Sequence, residues 1–170
     1  MKWIGMIFVV ISTGVIGLQF ASSMKQRCKL VRQLLSTLQI LKNEIVFCGT
    51  PLAQAFAMGA VSANGVVEQV FSSVARKMDQ HKWLTPFAAM EQTLQELPNG
   101  VLENEVVDIL KSLSSGLGKY DQDSQIQTLT CAKERLEHVL TEMEKERSIR
   151  GKTYEILGIC AGLSIVILLI

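Results

Sequence analysis

The side chains best suited to metal binding, nucleophilic attack or proton transfer are His81 and His138, Cys28, Cys48, Cys131 and Cys160, the pair Asp121 and Asp123, and Glu44. An HExxH zinc site needs two histidines one helical turn apart, and these two are far apart in sequence. The cysteines include no CxxC pair and read as reduced, mostly packing thiols, not as a disulfide framework or a metal site. Asp121 and Asp123 stand at i and i+2, which puts them on different faces of a helix, so they suit a helix N-terminus better than shared acid–base work. No glycine-rich loop precedes a Lys-Ser or Lys-Thr pair, and no GxSxG is present. Glu44, between Leu41 and Ile45, would need a partner to accept a proton, and none is evident nearby in sequence. A rim residue bonded to a neighbouring helix end or a basic side chain is expected there. No catalytic residue, cofactor or metal is therefore expected.

The elements that must hold these residues are set by two apolar runs. Trp3 to Met24 is twenty-two residues without Asp, Glu, Lys or Arg. At about 1.5 Å per residue a helix of that length measures roughly 33 Å, close to the ~30 Å of a bilayer's hydrocarbon. Lys25, Arg27, Lys29 and Arg32 follow it with no acid before Glu44, so these four are expected at the membrane surface, keeping the rest of the chain in the cytoplasm. A cleaved signal peptide is the competing reading, with Lys2 as its basic start and Ala21-Ser22-Ser23 as a cleavage site. The length of the run and the basic cluster behind it oppose that reading. Ile156 to Ile170 is a second uncharged run, fifteen residues long, expected to be a short C-terminal anchor. Gly158 and Gly162, four apart, would let it pack closely on another helix.

All sixteen acidic residues and sixteen of the seventeen basic ones lie between Lys25 and Glu155, so the segment 25–155 is formally neutral. It is long enough for one core, and its neutrality argues against nucleic acid as a partner. Leu30, Leu34, Leu38, Leu41 and Ile45, with Val31 and Leu35 alongside, repeat at helical spacing up to Gly49. Thr50-Pro51 and Thr85-Pro86 read as helix starts, each a cap followed by the first helical residue, and Pro98-Asn99-Gly100 as a turn. Between these breaks come four shorter apolar patterns: Leu52, Ala55, Phe56, Val61; Val66, Val70, Phe71, Val74, Met78; Phe87, Met90, Leu94, Leu97; and Val106, Ile109, Leu110, Leu113. Ile126, Leu129, Leu136, Val139, Leu140 and Met143 mark a long sixth helix whose charges form a solvated face. Nothing alternates with period two. The expected fold is all-α, a six-helix bundle flanked by two transmembrane helices: anchor 1–24, cytoplasmic bundle 25–155, anchor 156–170.

Charge is unevenly spread within the neutral segment. Between Thr85 and Gly118, Glu91, Glu96, Glu103, Glu105 and Asp108 face only Lys111, an acidic surface suited to a basic protein partner. An embedded enzyme or transporter is disfavoured because neither apolar run carries a charge and the rest lacks a nucleophile–base pair. A ligand-sensing bundle with a small-molecule pocket stays open as the alternative.

Glu44-Ile45-Val46-Phe47-Cys48-Gly49-Thr50-Pro51-Leu52 resembles the signature of the stage III sporulation protein AB family. Leu117-Gly118 followed by Asp121 and Gln125 resembles that family's entry into its last helix, and Leu157-Gly158 with Gly162 its C-terminal anchor. Two positions depart from the family pattern: Phe47 stands where Tyr is usual, and Arg27-Cys28 where Arg-Pro usually follows the first anchor. The family is similar to the cytoplasmic domain of type II secretion F proteins, a six-helix bundle. The resemblance implies a sporulation role in the mother-cell membrane facing the forespore, as a platform joining a cytoplasmic ATPase, the AA protein, to channel or ring subunits. It leaves homo-oligomerisation open.

Overall fold

The computed structural model consists of six helices in chain order: α1 (Lys2–Val46), α2 (Leu52–Val61), α3 (Val66–Gln80), α4 (Pro86–Gln95), α5 (Asn104–Gly116) and α6 (Gln122–Leu169). Backbone is described for residues 2–98, 100–118 and 122–169, and side chains for 24–98, 100–118 and 123–148. Among the described residues there is no strand, as the missing period-two pattern requires. Within the segments whose side chains are described, no helix is long and apolar enough to cross a membrane. The expected anchors at 1–24 and 156–170, including Gly158 and Gly162, fall on side chains outside this description apart from Met24.

The chain divides into a unit of residues 29–140 and a unit comprising residues 1–28 and 141–170. In the second of these, Cys28 and Met143 are buried, Lys25 and Arg27 are exposed, and Lys145 pairs with Glu142 at 3.1 Å.

The 29–140 unit is built on the apolar stripes read above. Val31, Leu34, Leu38 and Leu41 of α1 are all buried, as are Val106, Ile109, Leu110 and Leu113 of α5 and Leu129, Leu136 and Val139 of α6. Phe56 and Phe71 join α2 to α3 with their ring centroids 5.5 Å apart, an offset contact within the favourable range for aromatic pairs. Lys42 near the end of α1 reaches Thr130 Oγ1 at 3.5 Å, so the end of α1 lies beside the first turns of α6.

Two faces differ from the sequence pattern. Val61, assigned to the α2 stripe, is 85% exposed, because α2 buries Ala55, Phe56, Gly59 and Ala60 and turns its last residue outward. Phe87 is 38% exposed, because α4 buries Ala89, Met90 and Thr93 instead. The Thr93 hydroxyl donates to the Ala89 carbonyl at 2.8 Å, which is how a polar side chain sits in that stripe.

The two Thr-Pro helix starts differ in how they are capped. Thr85 accepts from the Ala88 N–H at 3.2 Å with Pro86 as first helical residue, as expected. At α2 the expected cap is displaced by one residue: Pro51 occupies the cap position, and its carbonyl accepts from the Ala55 N–H at 2.9 Å. The Thr50 hydroxyl turns away from α2 altogether.

Candidate functional site

That hydroxyl donates to Glu44 Oε2 at 2.8 Å. Around it the end of α1 is closed by backbone bonds: Phe47 and Cys48 N–H both donate to the Asn43 carbonyl, at 3.0 and 3.2 Å, and Thr50 N–H to the Glu44 carbonyl at 2.9 Å. The last of these requires the chain to reverse at Gly49, whose φ of +63° is a conformation that a side chain would strain. Glu44 therefore receives two bonds from one residue, main chain to main chain and hydroxyl to carboxylate, and its bonding is structural. It is half-buried at the rim, bonded to the segment entering the next helix. Held on this corner, Phe47 is 78% exposed.

The second motif comes to the same place. Leu117 is buried, and a Cβ added at Gly118 would stand 3.4 Å from Leu52 Cδ1 and 3.5 Å from Pro86 Cγ. Leu52 opens α2, Pro86 opens α4 and Gly118 closes α5, so the α1–α2, α3–α4 and α5–α6 connections meet at one end of the 29–140 unit. Two of those connections carry exposed aromatics, Phe47 and Trp83, the latter 79% exposed with His81 5.8 Å from it, ring centre to ring centre, and Phe87 stands in the first turn of α4. Trp83 follows no apolar period, so no helical pattern in the sequence marks it. Its position in a loop beside Lys82, outside any stripe, was the available signal. Gln125 is half-buried on α6, and Asp121 lies outside the described residues.

The acidic residues assemble elsewhere. Glu96, Glu103, Glu105 and Asp108 flank the α4–α5 connection, at the ends of α4 and α5 opposite Pro86 and Gly118. Glu96 accepts from Lys77 Nζ at 2.7 Å, and Glu91 lies 3.9 Å from Lys111 Nζ. Glu103 is half-buried at the α5 cap position. Glu105 and Asp108 are exposed. Lys25, Arg27, Lys29 and Arg32 are all exposed on α1.

The remaining reactive side chains do not gather. His81 and His138 are exposed, and no three His, Cys, Asp or Glu side chains cluster as metal ligands among the described residues. Of the cysteines Cys28 is buried, whereas Cys48 and Cys131 are exposed, against the expectation of mostly packing thiols; Cys160 lies outside the described side chains.

The family model for stage III sporulation protein AB matches residues 2–170. Stage III sporulation protein AB of Bacillus subtilis (strain 168) is 29% identical over 170 residues, covering 99% of each chain. A solved structure of stage III sporulation protein AB (SpoIIIAB) superposes with a TM-score of 0.65 at 27% identity, covering 73% of this chain and 98% of that one. The motif corner, the Leu117-Gly118 turn and both apolar runs all fall within the family match, and the chain belongs to the stage III sporulation protein AB family.

Proposed function

We propose that the protein is a non-enzymatic, membrane-anchored platform subunit of the secretion-like complex between mother cell and forespore. Its bundle stands in the mother-cell cytoplasm and links a cytoplasmic ATPase, the AA protein, to channel or ring subunits in the membrane. The observation that carries this reading is the end-to-end match to a sporulation protein family, apolar runs and their basic flanks included. Two features of the bundle support it. Phe47 and Trp83 are large apolar side chains held in the open near one end, the residue types on which protein contacts concentrate. Glu105 and Asp108 offer an exposed acidic surface near the α4–α5 connection, suited to a basic partner. The bundle is read as the counterpart of the cytoplasmic domain of type II secretion F proteins, and residues 1–24 and 156–170 as its anchors.

Photo-crosslinking amino acids at Phe47, Trp83 and Glu105 in sporulating cells test the role. Adducts with the ATPase or with membrane subunits of the complex are expected, and adducts with neither at all three positions would remove the platform reading. Membrane orientation is tested separately. A cysteine replacing Lys2 should react with an impermeant thiol reagent in intact cells, whereas one replacing Lys133, exposed on α6, should not.

A further inference from the structure

Packed side by side, α2 and α3 leave an open groove of about 710 Å³ between their outer faces. Its α2 wall is the row Ala53, Ala57, Val61, and its α3 wall is Glu68, Ser72 and Arg76, followed by Asp79. Each row is spaced i, i+4, i+8, the ridge between which a third helix packs. The alanines keep the α2 wall low, so a visiting backbone can come close. Val61, the one large apolar side chain in the row, is 85% exposed as the bundle stands. Glu68, Arg76 and Asp79 are exposed and form no ion pair with another described residue. Along α3 they run negative, positive, negative, about 12 Å from Glu68 to Arg76 and about 4.5 Å from Arg76 to Asp79 along the axis.

We infer that this groove seats an amphipathic helix of a partner protein, with an apolar row toward Ala53, Ala57 and Val61. Beside that row the partner carries an acidic residue for Arg76, a basic residue one turn away for Asp79, and a second basic residue about two turns the other way for Glu68. A second copy of this chain is the poorer occupant. Antiparallel α3 helices crossing at Ser72 match Glu68 with Arg76 in both directions but leave Asp79 opposite Gly65, which has no charge, and parallel helices in register oppose like charges. The inference goes beyond the platform reading and does not depend on which surface meets the ATPase.

The test uses the full-length protein in nanodiscs and three fluorescein-labelled helical peptides, Leu/Ala-based and each about 16 residues long. One carries Lys, Glu and Lys at the stated spacing, one has the same composition with Glu moved to the end of the series, and one carries Glu, Lys and Glu. Anisotropy should give the first peptide at least a tenfold lower Kd than either of the others. The triple variant Glu68→Lys, Arg76→Glu, Asp79→Lys should instead prefer the Glu-Lys-Glu peptide. Ala57→Arg, at an exposed position, should abolish binding while circular dichroism and Tm stay unchanged. Equal affinity for the first two peptides, or undiminished binding by a folded Ala57→Arg variant, would overturn the inference. So would concentration-dependent self-association of the free protein that Ala57→Arg removes, because the groove would then belong to a second copy.

Discussion

Lys77 Nζ lies 2.7 Å from Glu96 Oε1, tying the last turn of α3 to the residue that ends α4. The Lys77 side chain is only 15% exposed, while that of Glu96 is 65% exposed, so the pair is intermediate between a surface bridge and a buried one. Glu96→Lys should destabilise residues 25–155 by about 1–2 kcal/mol in urea denaturation, between the exposed and buried limits.

That pair decides how the acidic surface is probed. A charge reversal that includes Glu96 would mix lost docking with lost stability, so the informative variant is Glu105→Lys with Asp108→Lys. Both side chains are exposed, and the double variant should melt within about 0.5 kcal/mol of the parent. If the acidic surface receives the ATPase, the variant should recruit less of it to the membrane of sporulating cells, measured by fractionation. Normal recruitment by the folded variant would exclude this surface.

At the motif corner, stability and display are separable. Thr50→Val removes the hydroxyl from Glu44 and should cost about 1 kcal/mol, with Thr50→Ser retaining most of it, read by thermal melting. Phe47→Ala should leave the melt within about 0.5 kcal/mol, because the ring is 78% exposed, and should lower crosslinking yield from neighbouring positions.

Close packing makes Gly116 sensitive. A Cβ there would overlap the Oγ1, Cγ2 and Cβ atoms of Thr128 on α6. Gly116→Ala should destabilise the fragment by about 1–3 kcal/mol, and adding Thr128→Gly should recover part of the loss in a double-mutant cycle.

Core truncations scale differently. Leu38→Ala and Phe71→Ala, at 2% and 0% exposure, should each cost about 2–5 kcal/mol in denaturant unfolding. Values under about half a kcal/mol for both would mean that the assigned faces are wrong.

The six helices were legible because each stripe repeats within one element, as Val106, Ile109, Leu110 and Leu113 do on α5. The α4 face was not, since Phe87 fits the helical period as well as Ala89 does, and neighbouring helices decide which is covered. The bond from Thr50 to Glu44 is hidden in the sequence for a local reason. Six residues apart, they meet only because Gly49 reverses the chain, while Thr-Pro before an apolar run reads as a helix cap. The close approach of Leu52 to Gly118 brings together residues distant in sequence, which no periodicity encodes. The acidic residues were identified from composition, but the ion pair that engages Glu96 depends on where α3 ends relative to α4.

The meeting of Leu52, Pro86 and Gly118 also bears on how the bundle opens. Loop segments usually fray one by one, each with its own small opening free energy. Leu52 and Pro86 both lie close to Gly118, so movement of the segment at Gly118 should loosen the other two connections with it. Amide hydrogen exchange at residues 47–52, 83–88 and 116–118 should accordingly slow and quicken together across denaturant concentrations, as a single cooperative unit spread over three distant stretches of chain.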